Sequence, residues 1–223
     1  MAKAMEVTRQ SPAGLRRRIG IELGILAVLT PLFLYYAPHE PGLYAALALA
    51  FFAIVAINVR NTHEYVWASH ALDRSAGLRR SARMMTLLTL PPAAGFFAWC
   101  LWSGHTVSYL NLTLAFCLYV PWALLQQAIF QLYLLGRLRV MIPGASAPVL
   151  AVLNGTLYGL VHLPNPGLAL LTVIAGSIWS YAYLRDRKLL PIALSHALLG
   201  STFYYFVDAR DLLAELVTRL AFN

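Results

Sequence analysis

Three groups of polar side chains interrupt apolar runs in the second half of this sequence, and their types are those that handle protons and carbonyl groups. The first is Gln126-Gln127-Ala128-Ile129-Phe130-Gln131, where Gln127 and Gln131 stand four apart and share a helix face with Gln126 beside them. The second is Asn154, Tyr158 and His162, spaced by four and four. The third is Ser195-His196, with Gly200 and Tyr204 at successive four-residue steps beyond the histidine. Imidazole is the side chain whose ordinary pKa lies nearest neutrality, so His162 or His196 is a candidate general base, with Gln127 and Asn154 as donors to a developing oxyanion. Gln126 and Gln127 can orient a water or a carbonyl but cannot take its proton. His162 and His196 could instead hold a divalent metal that activates a bound water, although two neutral ligands without a carboxylate make a poor site. Ser195 is not a nucleophile paired with His196, because helix neighbours point about 100° apart.

These residues must be held by helices in a membrane. Of the 223 residues, 60% are hydrophobic and 12% charged, an apolar excess that a soluble domain of this size could not hide from water. A bilayer core about 30 Å thick takes roughly 20 apolar residues per spanning helix, and this chain has long apolar runs in place of alternating strands. The expected fold is all-α: a polytopic transmembrane helical bundle of about seven spans, at 19–37, 41–59, 84–102, 108–135, 149–163, 168–184 and 190–207, forming one membrane domain over 1–223. The first span is expected to be retained, since no small-residue cleavage site follows the basic start. The fifth is short and ends in His162-Leu163-Pro164-Asn165-Pro166, where proline stops a helix. Such an end is tolerated inside a bilayer only against protein or a wet cavity.

The 17 Lys and Arg against 9 Asp and Glu do not point to nucleic acid, because the basic residues fall in short clusters between apolar runs. They stand at Arg16 to Arg18, Arg60 to Arg83, Arg137 and Arg139, and Arg185 to Lys188, while the turns near 38–41, 103–107 and 164–167 carry none. With seven spans, every basic loop lies on one side, placing the N-terminus in the cytoplasm and the C-terminus outside. Cys100 and Cys117 lie within spans as packing residues. Trp67, Trp99, Trp102 and Trp122 fit an aromatic belt, and His39, His63, His70 and His105 fall in loops or interfaces. Pro31, Pro121 and Pro191 kink or start helices, and Tyr65, Val66, Trp67 and Leu72 suggest a short interfacial helix within 60–83.

Depth brings the three polar groups together. At about 1.5 Å per residue, Gln126, His162 and His196 lie roughly 17, 21 and 12 Å from their nearest basic ends, all within the middle of the bilayer. One buried polar cavity explains three such costly groups better than three separate accidents.

The order and spacing of these groups resemble the intramembrane peptidases of the CAAX-protease and bacteriocin-processing family (CPBP, also called Abi). That family carries Glu-Glu-x-x-x-Arg, Phe-x-x-x-His and His-x-x-x-Asn motifs on three successive transmembrane helices. Here the corresponding stretches are Gln126 to Gln131, Tyr158 to His162 and His196 to Gly200, and the segment from Gly176 through Tyr181, Tyr183 and Leu190-Pro191 to His196 is similar as well. The likeness covers about residues 108–207. Both glutamates are Gln, the arginine is Gln131 and the asparagine is Gly200; the two histidines are intact. The resemblance implies hydrolysis of a peptide bond in a membrane-associated peptide or lipidated substrate. The candidate catalytic group is His162, His196, Gln126 and Gln127, with Gln131, Asn154, Tyr158, Asn165 and Tyr204 as candidate substrate-binding residues. The expected setting is a bacterial inner (cytoplasmic) membrane with lipid as partner. The alternatives are a non-proteolytic pseudoenzyme, a small transporter whose midplane groups bind solute, and a structural subunit.

Overall fold

Apolar runs bounded by proline, glycine or basic residues become helices here, and every regular element among the described residues is helical. The computed structural model describes residues 12–32, 46, 49–53, 56, 76–163 and 165–221. Helix α1 runs Pro12–Pro31 and α2 runs Ala76–Ser103. After the Ser108 cap, α3 covers Tyr109–Gln127, continues as a π-helical segment over Ala128–Leu134, and ends as α4, Leu135–Met141. Then come α5 (Ala147–Leu160), α6 (Pro166–Asp186), α7 (Leu189–Phe206) and the short α8 (Leu212–Ala221).

Among the described residues, four helical stretches are long and apolar enough to cross a membrane: Gly77–Ser103, Tyr109–Met141, Pro166–Asp186 and Leu189–Phe206; Ala147–Leu160 is apolar but shorter. These five correspond to the expected spans from 84–102 onward. The described part of the expected first span, 19–37, lies in α1, which begins at Pro12 and so includes Arg16, Arg17 and Arg18; residues 33–37 lie outside the described residues. The expected span 41–59 lies largely outside the described residues. So do His39, His63, His70, Trp67 and the interfacial helix within 60–83. Leu87, Leu90, Leu101, Leu110, Leu118 and Leu170 are each more than half exposed, an outer surface that suits lipid and not water.

The α5 and α6 backbones touch. A Cβ on Gly155 would meet Ser177 N at 2.5 Å and Val173 O at 2.7 Å, one on Gly159 would meet Ala169 O at 2.7 Å, and one on Gly176 would meet Gly155 Cα at 3.2 Å. Gly155 and Gly159 stand four apart, so both glycines face α6, and packing of this kind replaces a hydrophobic drive that lipid cannot supply. Helix α7 packs against α2 and α3.

Charge is segregated along the bundle. Arg80 of α2 holds Asp186 through an Nε to Oδ1 bond of 2.6 Å, and Arg185 reaches the other carboxylate oxygen at 2.8 Å, so the basic starts and ends of α2, α6 and α7 gather at one end. At the other, Asn111 donates to Asp211 at 2.7 Å and the Tyr205 hydroxyl does so at 2.8 Å. Arg137 departs from the expected loop marker. It is 2% exposed, bound to Glu22 of α1 at 3.0 Å, with its guanidinium 4.1 Å from the Tyr133 ring centroid; the Tyr133 hydroxyl donates to the same Glu22 oxygen. A helical segment long enough to carry Arg137 inward turned it from a boundary charge into half of a buried pair.

Candidate functional site

The three polar groups meet, through contacts between α5, α7 and the junction of α3 with the π segment. Gln127 is fully buried, and its Nε2 lies 3.2 Å from the Tyr158 hydroxyl and 3.4 Å from His196 Nδ1. The same hydroxyl lies 3.1 Å from His196 Nδ1. Gln131 Nε2 donates to Gln127 Oε1 at 3.0 Å. Asn154 Nδ2 faces the Phe130 carbonyl at 3.2 Å, Gln131 Oε1 at 3.4 Å and Ser180 Oγ at 2.8 Å. Four helices and the π segment thus share one chain of hydrogen bonds. π segments are uncommon and concentrate at functional sites, and this one begins directly after Gln127.

His162 occupies the turn that follows α5. Its Nδ1 lies 2.9 Å from the Tyr158 carbonyl, which belongs to the preceding turn of helix. The two imidazoles flank one phenol: the Tyr158 ring centroid is 6.3 Å from that of His162 and 5.7 Å from that of His196. The separation of the two histidines therefore stays within about 12 Å, the span over which each could reach a shared substrate at hydrogen-bond distance.

Both histidines open on a cavity of about 150 Å³. Its walls are apolar, from Met85, Leu88, Phe96, Ile178, Leu199 and Phe203 among others, and its polar groups are those of Tyr119, His162, Thr172, Ser195, His196 and Tyr204. A mostly apolar concavity with a few convergent polar groups is the usual form of a small-molecule or chain-binding site.

Several expected residues take other places. Gln127, Gln131, Asn154 and Tyr158 are not among the residues that line the cavity, and join it through His196. Gln126 is half-buried outside the hydrogen-bonded chain, and its Oε1 is buried without a hydrogen-bond partner. Asn165 caps α6: its Oδ1 accepts from Leu168 N–H at 3.0 Å, with Pro166 as the first helical residue. Ser195 is held by the Thr89 hydroxyl at 2.6 Å and by Trp179 Nε1 at 3.0 Å, away from His196.

Two aromatic residues belong to the site without having been expected there. Trp179 lies tilted against His196 with centroids 4.8 Å apart. Trp179 is the one tryptophan of the five that the belt pattern does not place near a span end, and that was the available signal. Tyr119 approaches His196 Nε2 with its hydroxyl at 3.5 Å. It fits because position 200 is glycine, where a Cβ would come within 2.6 Å of Tyr119 Cε1. The ring thus fills space beside His196 that a side chain at 200 would otherwise claim.

A divalent ion at this site would find two neutral imidazoles, and no cluster of three or more His, Cys, Asp or Glu exists among the described residues. That donor set fits zinc poorly.

Residues 106–202 match the family model described as type II CAAX prenyl endopeptidase Rce1-like. No curated protein and no solved structure gives a significant match. The matched stretch contains both histidines and the amide pair, and over those residues the chain is similar to this family of CAAX-type membrane endopeptidases; its long apolar helices fit an integral membrane protein.

Proposed function

We propose that the chain is an intramembrane hydrolase of CPBP type, acting on a peptide bond in a membrane-associated peptide or lipidated substrate whose apolar part enters the cavity between α2, α6 and α7. The observation that carries this reading is the opening of His162 and His196 onto one apolar cavity. One imidazole takes a proton from water as the water attacks the substrate carbonyl, and returns it to the leaving amine. The carbonyl oxygen gains negative charge in that step and needs a donor, which low-dielectric surroundings make more effective. Trp179 and Tyr119 hold His196 in place on the cavity wall. The buried amides behind it tune that imidazole without touching substrate. The setting we assign is a bacterial cytoplasmic membrane with the basic end of the bundle in the cytoplasm, following the side that Lys and Arg prefer.

A second reading is a non-proteolytic pseudoenzyme or a membrane binding or transport protein. What favours it is that the family's paired carboxylates are amides here, so neither Gln126 nor Gln127 can act as base. The two readings separate when purified wild type, His162→Ala and His196→Ala are compared for cleavage of tagged membrane peptides, with and without chelator. The hydrolase reading expects cleavage by wild type, a loss of about 10²-fold or more in each variant, and no effect of chelator. Binding or solute uptake by wild type with no bond cut establishes the second reading, and loss of cleavage with chelator alone points to a metal.

A further inference from the structure

The hydrogen-bonded chain behind His196 has a direction, and that direction fixes which ring nitrogen carries the proton. It starts at a backbone carbonyl. Asn154 must turn its NH₂ toward Phe130 O, which can only accept, and toward Ser180 Oγ, whose own hydrogen goes to Gly176 O at 2.7 Å. With that amide oriented, the Gln131 oxygen faces Asn154 and its NH₂ donates to Gln127 Oε1. The Gln127 NH₂ is therefore left facing the Tyr158 hydroxyl and His196 Nδ1. The Tyr158 oxygen accepts from Gln127, so its hydrogen goes to His196 Nδ1, the one other polar atom it contacts. Two donors converge on Nδ1, which must be the bare nitrogen. The partners of His196 are all uncharged and the ring is 4% exposed, so a neutral imidazole is the form that burial permits.

The opposite tautomer holds at His162. Its Nδ1 faces the Tyr158 carbonyl, an acceptor, so Nδ1 carries the hydrogen and Nε2 is bare.

We infer that Asn154, Gln131 and Gln127 are positioning residues that polarise His196 as a fixed Nε2–H donor on the cavity wall, leaving His162 Nε2 as its complementary acceptor. Resting on the hydrolase reading, this divides the labour of the two histidines. A water gives its proton to His162 Nε2 while its oxygen bonds to the carbonyl carbon. The carbonyl π electrons move onto oxygen, which His196 Nε2–H stabilises in place of the Tyr119 hydroxyl. Collapse breaks the carbon–nitrogen bond, and the amine leaves with the proton from His162. A carboxylate at position 127 would invert the arrangement, because it accepts from Nδ1–H and leaves Nε2 bare.

The test reads protons and not turnover, so it stands whether or not any substrate is cut. The full chain is labelled with ¹⁵N-histidine in lipid nanodiscs without substrate, and each ring is assigned from the signals lost in His162→Gln and His196→Gln. We expect a pyridine-type Nδ1 and pyrrole-type Nε2 for His196, the reverse for His162, and protonation of His196 Nδ1 in Gln127→Glu. A proton on His196 Nδ1 in wild type overturns the inference, as does an unchanged His196 pattern in folded Gln127→Glu. The wild-type spectrum decides the matter even if that variant does not fold. If the tautomers are as stated and no bond is ever cut, the hydrolase reading fails and the polarised donor–acceptor pair remains as a binding device.

Discussion

The continuous stretch Tyr109–Met141 carries two buried polar clusters of opposite character. Around Arg137 the partners are ionic: Glu22 from α1 and Tyr133 close on the guanidinium, and none of the three lines the cavity. Around Gln127 every partner is uncharged, and the cluster ends on the wall of a cavity. The difference follows from electrostatics. An ion pair in low dielectric survives when each charge is fully engaged by the other, and such a pair is a poor place to admit a ligand. Neutral amides and imidazoles lose less on desolvation, so they can face an apolar space and wait for a partner.

Breaking the ionic cluster produces the largest effect. Glu22→Ala leaves Arg137 buried without its carboxylate and is expected to destabilise the fold by about 3–5 kcal/mol, read from thermal unfolding in detergent. The paired replacement Glu22→Met with Arg137→Met is expected to recover most of that loss, since apolar residues of similar volume remove the desolvation penalty. If the double variant is as unstable as the single one, the cluster is held by something other than its charges. An intermediate effect belongs to the neutral cluster: Gln127→Met strands the Gln131 amide and one donor contact at His196, for about 1–3 kcal/mol. Its signature is a changed His196 ring spectrum with the Glu22–Arg137 pair untouched, and equal disturbance of both clusters would erase the distinction drawn between them.

The smallest effect comes from a carboxylate at the water-facing end, where charge is neither stapled nor hidden. Burial pushes the Asp211 carboxyl upward, but hydrogen bonds from Ala214 N–H, Asn111 and Tyr205 outweigh it and hold its pKa below the ordinary value. A depressed folded pKa contributes stability that is present above the unfolded value of about 3.9 and lost as pH falls through the folded one. Acidification below about pH 4 is therefore expected to loosen α8 first, seen as faster amide exchange over 212–221 while α5 and α6 stay protected. Uniform exchange across the bundle would contradict it.

Helix positions from α2 onward were legible because proline, glycine and arginine bound the apolar runs, and a polar residue inside such a run stands out. Gln127, Asn154, His162 and His196 were visible for that reason. The π segment was not, since a seven-residue change to i→i+5 bonding leaves no periodic mark in an apolar stretch. Trp179 carried one faint mark, its place away from the span ends, while Tyr119 was hidden among packing aromatics and only the space at Gly200 distinguishes it. Glu22 and Arg137 were visible as charges, but their pairing joins residues 115 apart and no local spacing encodes it.

The seven residues of Ala128–Leu134 also act as a phase setting. Gln127, directly before them, is set against His196, and Arg137, beyond them, against Glu22. Deleting one residue there would turn α4 by roughly 100° against α3, aiming Arg137 away from α1 while Gln127 kept its bearing. The dial that tunes the cavity and the bolt that fastens α1 are cut from a single shaft, and their relative angle is written in one stretch of unusual backbone.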